Sequence, residues 1–229
     1  MSGPAAVRRS PFLWALSKWI FLVFARLWLR VRIEGLENVP ERGPVLLVAN
    51  HSSYLDPPLV GVGLSRWVAY LAQAGLAKLR PMRWWLCKMG VTLIDRSAPS
   101  KDAIRLMAEI LQQGGCVCVF PEGTRTSDGR IHEFKGGLRL LLLRSDAVVV
   151  PVGLDGPVRA FPRGAILPRP RRCVVRYGAP RTRDSVLREG GVESLREEIA
   201  RLSNCPLAPR SGYGRDVLSA DHESSAGKR

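Results

Sequence analysis

The run Val45-Leu46-Leu47-Val48-Ala49 is apolar at every position, and a strand with no alternation of apolar and polar residues needs both of its faces covered. Comparable short runs recur at Val68–Ala72, Val91–Ile94, Cys116–Phe120, Ala147–Val152 and Cys173–Tyr177, each bounded by Gly, Pro or polar residues. Helical patterns lie between them. The clearest takes Ser100 as N-cap, places Ile104, Met107, Ala108 and Leu111 on one face and stops at Gly114-Gly115, and a terminal helix is expected near Val192–Leu202. Strands alternating with helices predict a single α/β domain with a mixed, mostly buried β-sheet flanked by helices. A chain of 229 residues suffices for one such core. The expected organisation is a basic, aromatic, membrane-associating helix within residues 1–34, the domain over 35–204, and a disordered tail rich in Pro, Ser and Gly over 205–229.

Charge narrows the choice of partners. With 35 Lys and Arg against 20 Asp and Glu the formal net charge is +15, while 46% hydrophobic residues exclude a disordered polyelectrolyte and a mean hydropathy of −0.01 excludes a multi-span transporter. Nucleic acid, an anionic membrane surface and phosphorylated small molecules all remain as anionic partners. Residues 12–29, FLWALSKWIFLVFARLWL, hold six aromatic residues and no acid. Lys18 and Arg26 mark one polar edge, and Arg8, Arg9, Arg30 and Arg32 flank the segment. An interfacial helix, with Trp and Phe at headgroup level and basic residues against anionic lipid, accounts for all of these features; a single spanning anchor and a buried core helix are the alternatives. The 5 cysteines contain no C-x-x-C pair, which points to a reduced, cytosol-facing compartment. Cys116 and Cys118 read as small buried hydrophobes on one face of a strand, and His51, His132 and His222 supply no metal-ligand spacing.

Four short segments could carry chemistry. Asn50-His51-Ser52-Ser53-Tyr54-Leu55-Asp56-Pro57 follows the first strand. His51 and Asp56 would lie far apart on a regular helix and can meet only across a turn, which Pro57-Pro58 and an N-capping Asp56 make plausible. The carboxylate would then hold the imidazole in one tautomer while the other ring nitrogen takes a proton from a hydroxyl; the plainer reading is a solvated His beside a helix cap. In Phe120-Pro121-Glu122-Gly123-Thr124-Arg125-Thr126, Gly123 permits close backbone approach and Arg125 offers a planar fork to phosphate. Gly90–Arg96 delivers Asp95 and Arg96 to a strand end, and Val150-Pro151-Val152-Gly153 reads as scaffold.

In this order, NHSSYLDP, GVTLIDR, FPEGTRT and VPVG resemble the four blocks of the glycerolipid acyltransferase family that contains bacterial 1-acylglycerol-3-phosphate acyltransferases, over roughly residues 35–180. The resemblance implies transfer of an acyl group from an acyl-CoA or acyl-carrier-protein thioester to the hydroxyl of a lysophospholipid, giving phosphatidate. It further implies His51 as general base, Asp56 as its orienting partner, and Glu122, Gly123, Thr124 and Arg125 along the acceptor site, bordered by Arg96. It implies no metal and no organic cofactor, and the cytoplasmic face of the cell membrane as the place of action. Many phosphatidate-forming members carry a lysine where this chain has Gln73, which leaves the acceptor open between lysophosphatidate and another lyso-lipid.

Two readings from other classes compete. The run from Arg159 to Arg188 is strongly basic, but the chain lacks a helix-turn-helix, a zinc finger and RNA-binding aromatics, so anionic lipid or CoA phosphate suits the run better than nucleic acid, with a merely solvated basic face as the plain alternative. A non-catalytic peripheral membrane protein would explain the N-terminal helix and the charge but would leave His51, Asp56 and FPEGTR unused.

Overall fold

The computed structural model describes residues 10–73, 84, 91–94, 100–188 and 190–209. Helix α1 (Pro11–Leu27) is followed by strand β1 (Arg32–Glu34), strand β2 (Val45–Ala49), helix α2 (Asp56–Val62) and strands β3 (Val68–Gln73) and β4 (Val91–Ile94). Helix α3 (Ser100–Gln112), strand β5 (Cys116–Val119), helix α4 (Gly137–Arg144), strand β6 (Val148–Asp155) and a short helix α5 (Pro157–Ala160) come next. Strand β7 (Val174–Tyr177) and helices α6 (Arg183–Arg188) and α7 (Gly191–Ser203) complete the described chain.

The seven strands form one sheet in the order β1-β7-β6-β2-β5-β3-β4. All pairings are parallel except that of β6 with β7, so the sheet is mixed as expected. Central β2 is buried at all five positions. Its odd-numbered residues Val45, Leu47 and Ala49 enter a core shared with Leu29 of the turn after α1 and with Leu59 and Val60 of α2. Leu46 and Val48 enter the opposite core, with Leu111 of α3, Leu141 of α4 and Ile199 of α7. Each such Val, Leu or Ile side chain, fully removed from water, contributes about 1.5–3 kcal/mol, and a strand covered on both faces has no exposed position left for a polar residue.

Some expectations change. Strand β1 was not expected, because its three residues are Arg, Ile and Glu; it exists because Glu34 pairs in register with Arg176 of β7, whose Nε donates to Glu34 Oε2 at 2.9 Å. Helix α4, with two glycines near its start and four consecutive leucines, shows no helical period and was also not expected. Helix α1 ends at Leu27, short of Leu29, since Arg30 adopts φ +43° and turns the chain back toward the sheet. Lys18 is not part of an outward polar edge: its Nζ donates to Leu64 O and lies 5.0 Å from the centre of the Trp14 ring, which stacks on Trp67. Burial lowers the Lys18 pKa from its ordinary value. Arg26, in contrast, is exposed.

Thus α1 docks on the body through Trp14, Lys18, Phe24 and Ala25 and leaves Phe12, Leu16, Trp19, Ile20 and Leu27 exposed. Among the described residues no helix is long and apolar enough to cross a membrane. At the other terminus, Leu207 forms a parallel bridge with Ile131 and Ala208 N donates to Ile131 O at 2.9 Å, so residues 205–209 pack on the domain instead of starting the expected tail. Residues 210–229, along with Lys78, Cys87 and Arg96, lie outside the described residues.

Candidate active site

Strands β2, β5 and β6 are parallel neighbours with Val45 opposite both Cys116 and Val148, so the carboxyl ends of β2 and β5 lie side by side while β6 runs on past them to Asp155. Open α/β sheets bind ligands outside the carboxyl ends of their strands. The first and third sequence blocks meet there. Asn50, the residue after β2, locks this edge: its Nδ2 donates to Leu154 O at 3.0 Å and its Oδ1 accepts from Leu154 N at 2.8 Å, tying β2 to β6. Sequence reasoning saw Asn50 only as part of the block; an Asn directly at a strand end, next to a candidate base, was the available signal.

Beyond Asn50 the chain makes a tight turn. Asp56 is fully buried, and its Oδ2 accepts from the Ser52 amide at 2.6 Å, the Ser53 amide at 2.7 Å and His51 Nδ1 at 2.9 Å. The carboxylate therefore does not cap its own helix, as the sequence suggested; it is the first residue of α2 and reaches back to close the turn that carries His51. With Nδ1 donating to Asp56, Nε2 of the imidazole is the nitrogen left to accept a proton. The ring is 19% exposed and stacks on Phe120 at 4.2 Å between centroids, which holds its plane while one edge meets solvent.

Asn at position 56 separates charge from scaffold. Asp56→Asn can keep an oxygen for the Ser52 and Ser53 amides, so its melting temperature should stay near that of the parent, while turnover falls about 10²–10⁴-fold for loss of the charge that stabilises an imidazolium. Asp56→Ala should add a folding defect of about 1–3 kcal/mol for each orphaned amide. Thermal melts and turnover rates on both variants separate the two roles; equal losses of stability would show that the charge, not the oxygen, holds the turn.

Glu122 holds the same turn from the β5 side. Its Oε1 accepts from His51 N at 2.8 Å and its Oε2 from His132 N at 3.0 Å, and the residue is 4% exposed. Burial raises its carboxyl above the ordinary value, opposed by those two amides and by the nearby histidines. Thr126 N donates to His51 O at 2.9 Å, with Thr126 Oγ1 3.3 Å from the same oxygen. Both backbone groups of His51 are thus fixed by the third block. Gly123 has φ +70°, and a Cβ there would come within 2.7 Å of Lys135 Nζ. Thr124 is exposed, and the Arg125 guanidinium lies 3.4 Å from the centre of the Tyr54 ring, a cation–π stack at the rim. Phe161 adjoins Tyr54 at 6.3 Å, and Ser53 Oγ donates to Phe161 O at 2.9 Å. Tyr54 and Phe161 were not singled out from sequence, since α5 and the loop after it reach the site only through the fold.

The second block enters differently. Its strand β4 stands three positions from β2, about 14 Å away at the usual strand spacing. The fourth block is structural, as expected: Pro151 and Val152 are buried in β6, and Gly153 faces α7. Cys116, Cys118 and Cys173 are buried free thiols; burial pushes Cys116 and Cys173 up to about 12 and Cys118 well above its ordinary value, which suppresses the thiolate needed for nucleophilic chemistry. Among the described residues no group of three or more His, Cys, Asp or Glu could hold a metal ion.

A buried Asp aligning a His at the carboxyl ends of neighbouring parallel strands, with an arginine at the rim, is an arrangement suited to general-base chemistry. Residues 30–155 match the profile of the acyltransferase family, and the chain belongs to that family. The chloroplastic 1-acyl-sn-glycerol-3-phosphate acyltransferase of Arabidopsis thaliana is 33% identical over 139 residues, covering 59% of this chain and 39% of that protein. A lyso-ornithine lipid O-acyltransferase of Pseudomonas aeruginosa is 34% identical over 141 residues, covering 60% of this chain and 52% of that protein. The chain therefore spans two-fifths to about half the length of these relatives. The crystal structure of the 1-acyl-sn-glycerophosphate acyltransferase from Thermotoga maritima superposes with a TM-score of 0.67 at 24% identity, covering 93% of this chain and 81% of that one, a likeness of fold.

Proposed function

We propose that this chain moves a fatty acyl group from an acyl-CoA or acyl-carrier-protein thioester to the free hydroxyl of 1-acyl-glycerol-3-phosphate, forming phosphatidate. The observation that carries the reading is the 2.9 Å contact of His51 Nδ1 with a fully buried Asp56 that also holds the Ser52 and Ser53 amides. In this reading His51 Nε2 takes the acceptor's hydroxyl proton as the oxygen attacks the thioester carbonyl. The C–S bond then breaks, and the imidazolium returns the proton to the departing thiolate; Asp56 stabilises the cation between the two transfers. The step balances without an acyl-enzyme, a metal or an organic cofactor.

Arg125 is the candidate phosphate contact, pre-oriented by Tyr54. Gly123 and Thr124 precede it in the same loop, Arg96 is assigned to the border of the acceptor site by its place in the second sequence block, and Glu122 positions His51. Arg125→Lys keeps a charge but loses the planar fork and the stack, so KM for lysophosphatidate should rise about tenfold with the donor KM unchanged. An unchanged acceptor KM would remove Arg125 from the phosphate.

The exposed apolar face of α1, next to Arg26 and Arg30, supports peripheral attachment to a membrane surface, which in this reading is the cytoplasmic face of the cell membrane. A second reading of the acceptor is favoured by one residue: β3 ends in Gln73, which brings no charge to the acceptor phosphate. The test is thiol release from acyl-CoA and from acyl-carrier protein, with lysophosphatidate, glycerol 3-phosphate and neutral or zwitterionic lyso-lipids as separate acceptors. Turnover selective for lysophosphatidate is the expected result. Turnover with another lyso-lipid alone would retain the chemistry and move the substrate, and none with any pair would leave a non-catalytic membrane protein.

A further inference from the structure

The loop between α5 and β7 carries an apolar tip that the packing of the domain does not use. Ile166 is 91% exposed and Leu167 75%, two adjacent branched aliphatic residues standing in water. The loop is built to hold them there. Ala165 N donates to Pro162 O at 3.1 Å, Gly164 takes φ +88°, and Arg169 N closes the base on Ala160 O at 2.7 Å. Pro162, Pro168 and Pro170 restrict the backbone further. A loop whose backbone is already held in place loses less entropy when its apolar side chains meet a partner.

The loop and α1 belong to one side of the molecule. Trp28 Nε1 donates to Pro168 O at 3.0 Å, and the strand that follows the loop is anchored just after α1, with Cys173 N on Leu29 O and Arg32 N on Cys173 O, both at 3.0 Å. The exposed stripe of α1 is thereby continuous with a second apolar projection. The charge around it has one sign: Arg163, Arg169, Arg171 and Arg172 are exposed, and residues 156–183 contain no Asp or Glu. Apolar tips ringed by arginine fit the interface of an anionic bilayer, where the tip reaches the acyl boundary and the guanidinium groups meet headgroup phosphates.

We propose that the 162–168 loop is a second lipid-contacting element, with Ile166 and Leu167 inserted beside α1. It would face the acceptor-binding rim toward the bilayer, because Phe161 at its root packs against Tyr54, the residue under Arg125. The proposal rests on membrane attachment through α1, and its test separates the two.

The full chain with Cys87→Ser, Cys205→Ser and Ile166→Cys is labelled at residue 166 with an environment-sensitive nitrobenzoxadiazole; the buried Cys116, Cys118 and Cys173 do not compete for the label. It is mixed with equimolar phosphatidylglycerol and phosphatidylcholine vesicles. The expected result is a blue shift of the label on binding. In a second arm, the Ile166→Ser, Leu167→Ser pair lowers vesicle affinity about tenfold, with unchanged turnover on a monomeric short-chain lysophosphatidate. Vesicle binding by the labelled chain without a shift, and full affinity in the double variant, would overturn the loop and spare α1. A chain that does not bind vesicles at all would overturn both. A shift on raising protein concentration without lipid would overturn the proposal in favour of contact between copies of the chain.

Discussion

His51→Ala should lower acyl transfer by about 10²–10⁴-fold, the usual weight of a positioned general base, while the fold survives. The fold should survive because the turn does not depend on the imidazole: the Ser52 and Ser53 amides stay on Asp56 Oδ2, and the backbone amide of residue 51 stays on Glu122. What is lost structurally is the stack on Phe120, worth about 0.5–1.5 kcal/mol beyond its buried area. Thiol release, circular dichroism and a thermal melt on the same preparation are the measurements. Turnover near that of the parent would remove His51 from the chemistry; a collapsed melt would make it a structural residue.

Gly153→Ala should damage the fold severely although it adds a single methyl group. A Cβ at residue 153 would lie 2.4 Å from both C and Cβ of Leu202 and 2.5 Å from Ser203 N. The obstruction includes the backbone of α7, which cannot rotate away as a side chain can. Helix α7 must therefore lift from β6, taking Leu195 and Ile199 out of the core and disturbing Arg196, which is 1% exposed and donates to the carbonyls of Ile131, His132 and Ala208. A loss of about 3 kcal/mol or more is expected, lowering the melting temperature by about 6–12 °C for a domain of this size. A melt within a degree or two of the parent would show that the helix accommodates the methyl. The glycine of the fourth block is thus explained by helix–strand contact and needs no substrate.

The central strands were legible because they are mainly apolar runs, and burial on both faces forces that composition whatever the neighbours are. Val45–Ala49 and Val91–Ile94 occur as read, and α3 and α7 occur within about two residues of the expected bounds. The His51–Asp56 pairing was legible for a local reason: a proline pair after Asp56 permits the turn that lets residues five apart meet.

Other features were decided at a distance. Strand β1 has no apolar pattern and exists through β7, and α4 has no helical period and is held by the core on which Leu138, Leu141 and Leu142 close. Composition did not distinguish Lys18 from Arg26, yet one is drawn to Leu64 O and the other stays in solvent. The family resemblance set Glu122 along the acceptor site; its burial against two amides appears only once β5 is set beside β2. By itself the sequence determined the α/β class, six of the seven strands and the His–Asp pair, since these follow from burial and from contacts within a few residues. The tertiary structure alone decided the strand order, the place of Glu122 and the joining of α1 to the Ile166 loop, because each depends on contacts between residues far apart in the chain.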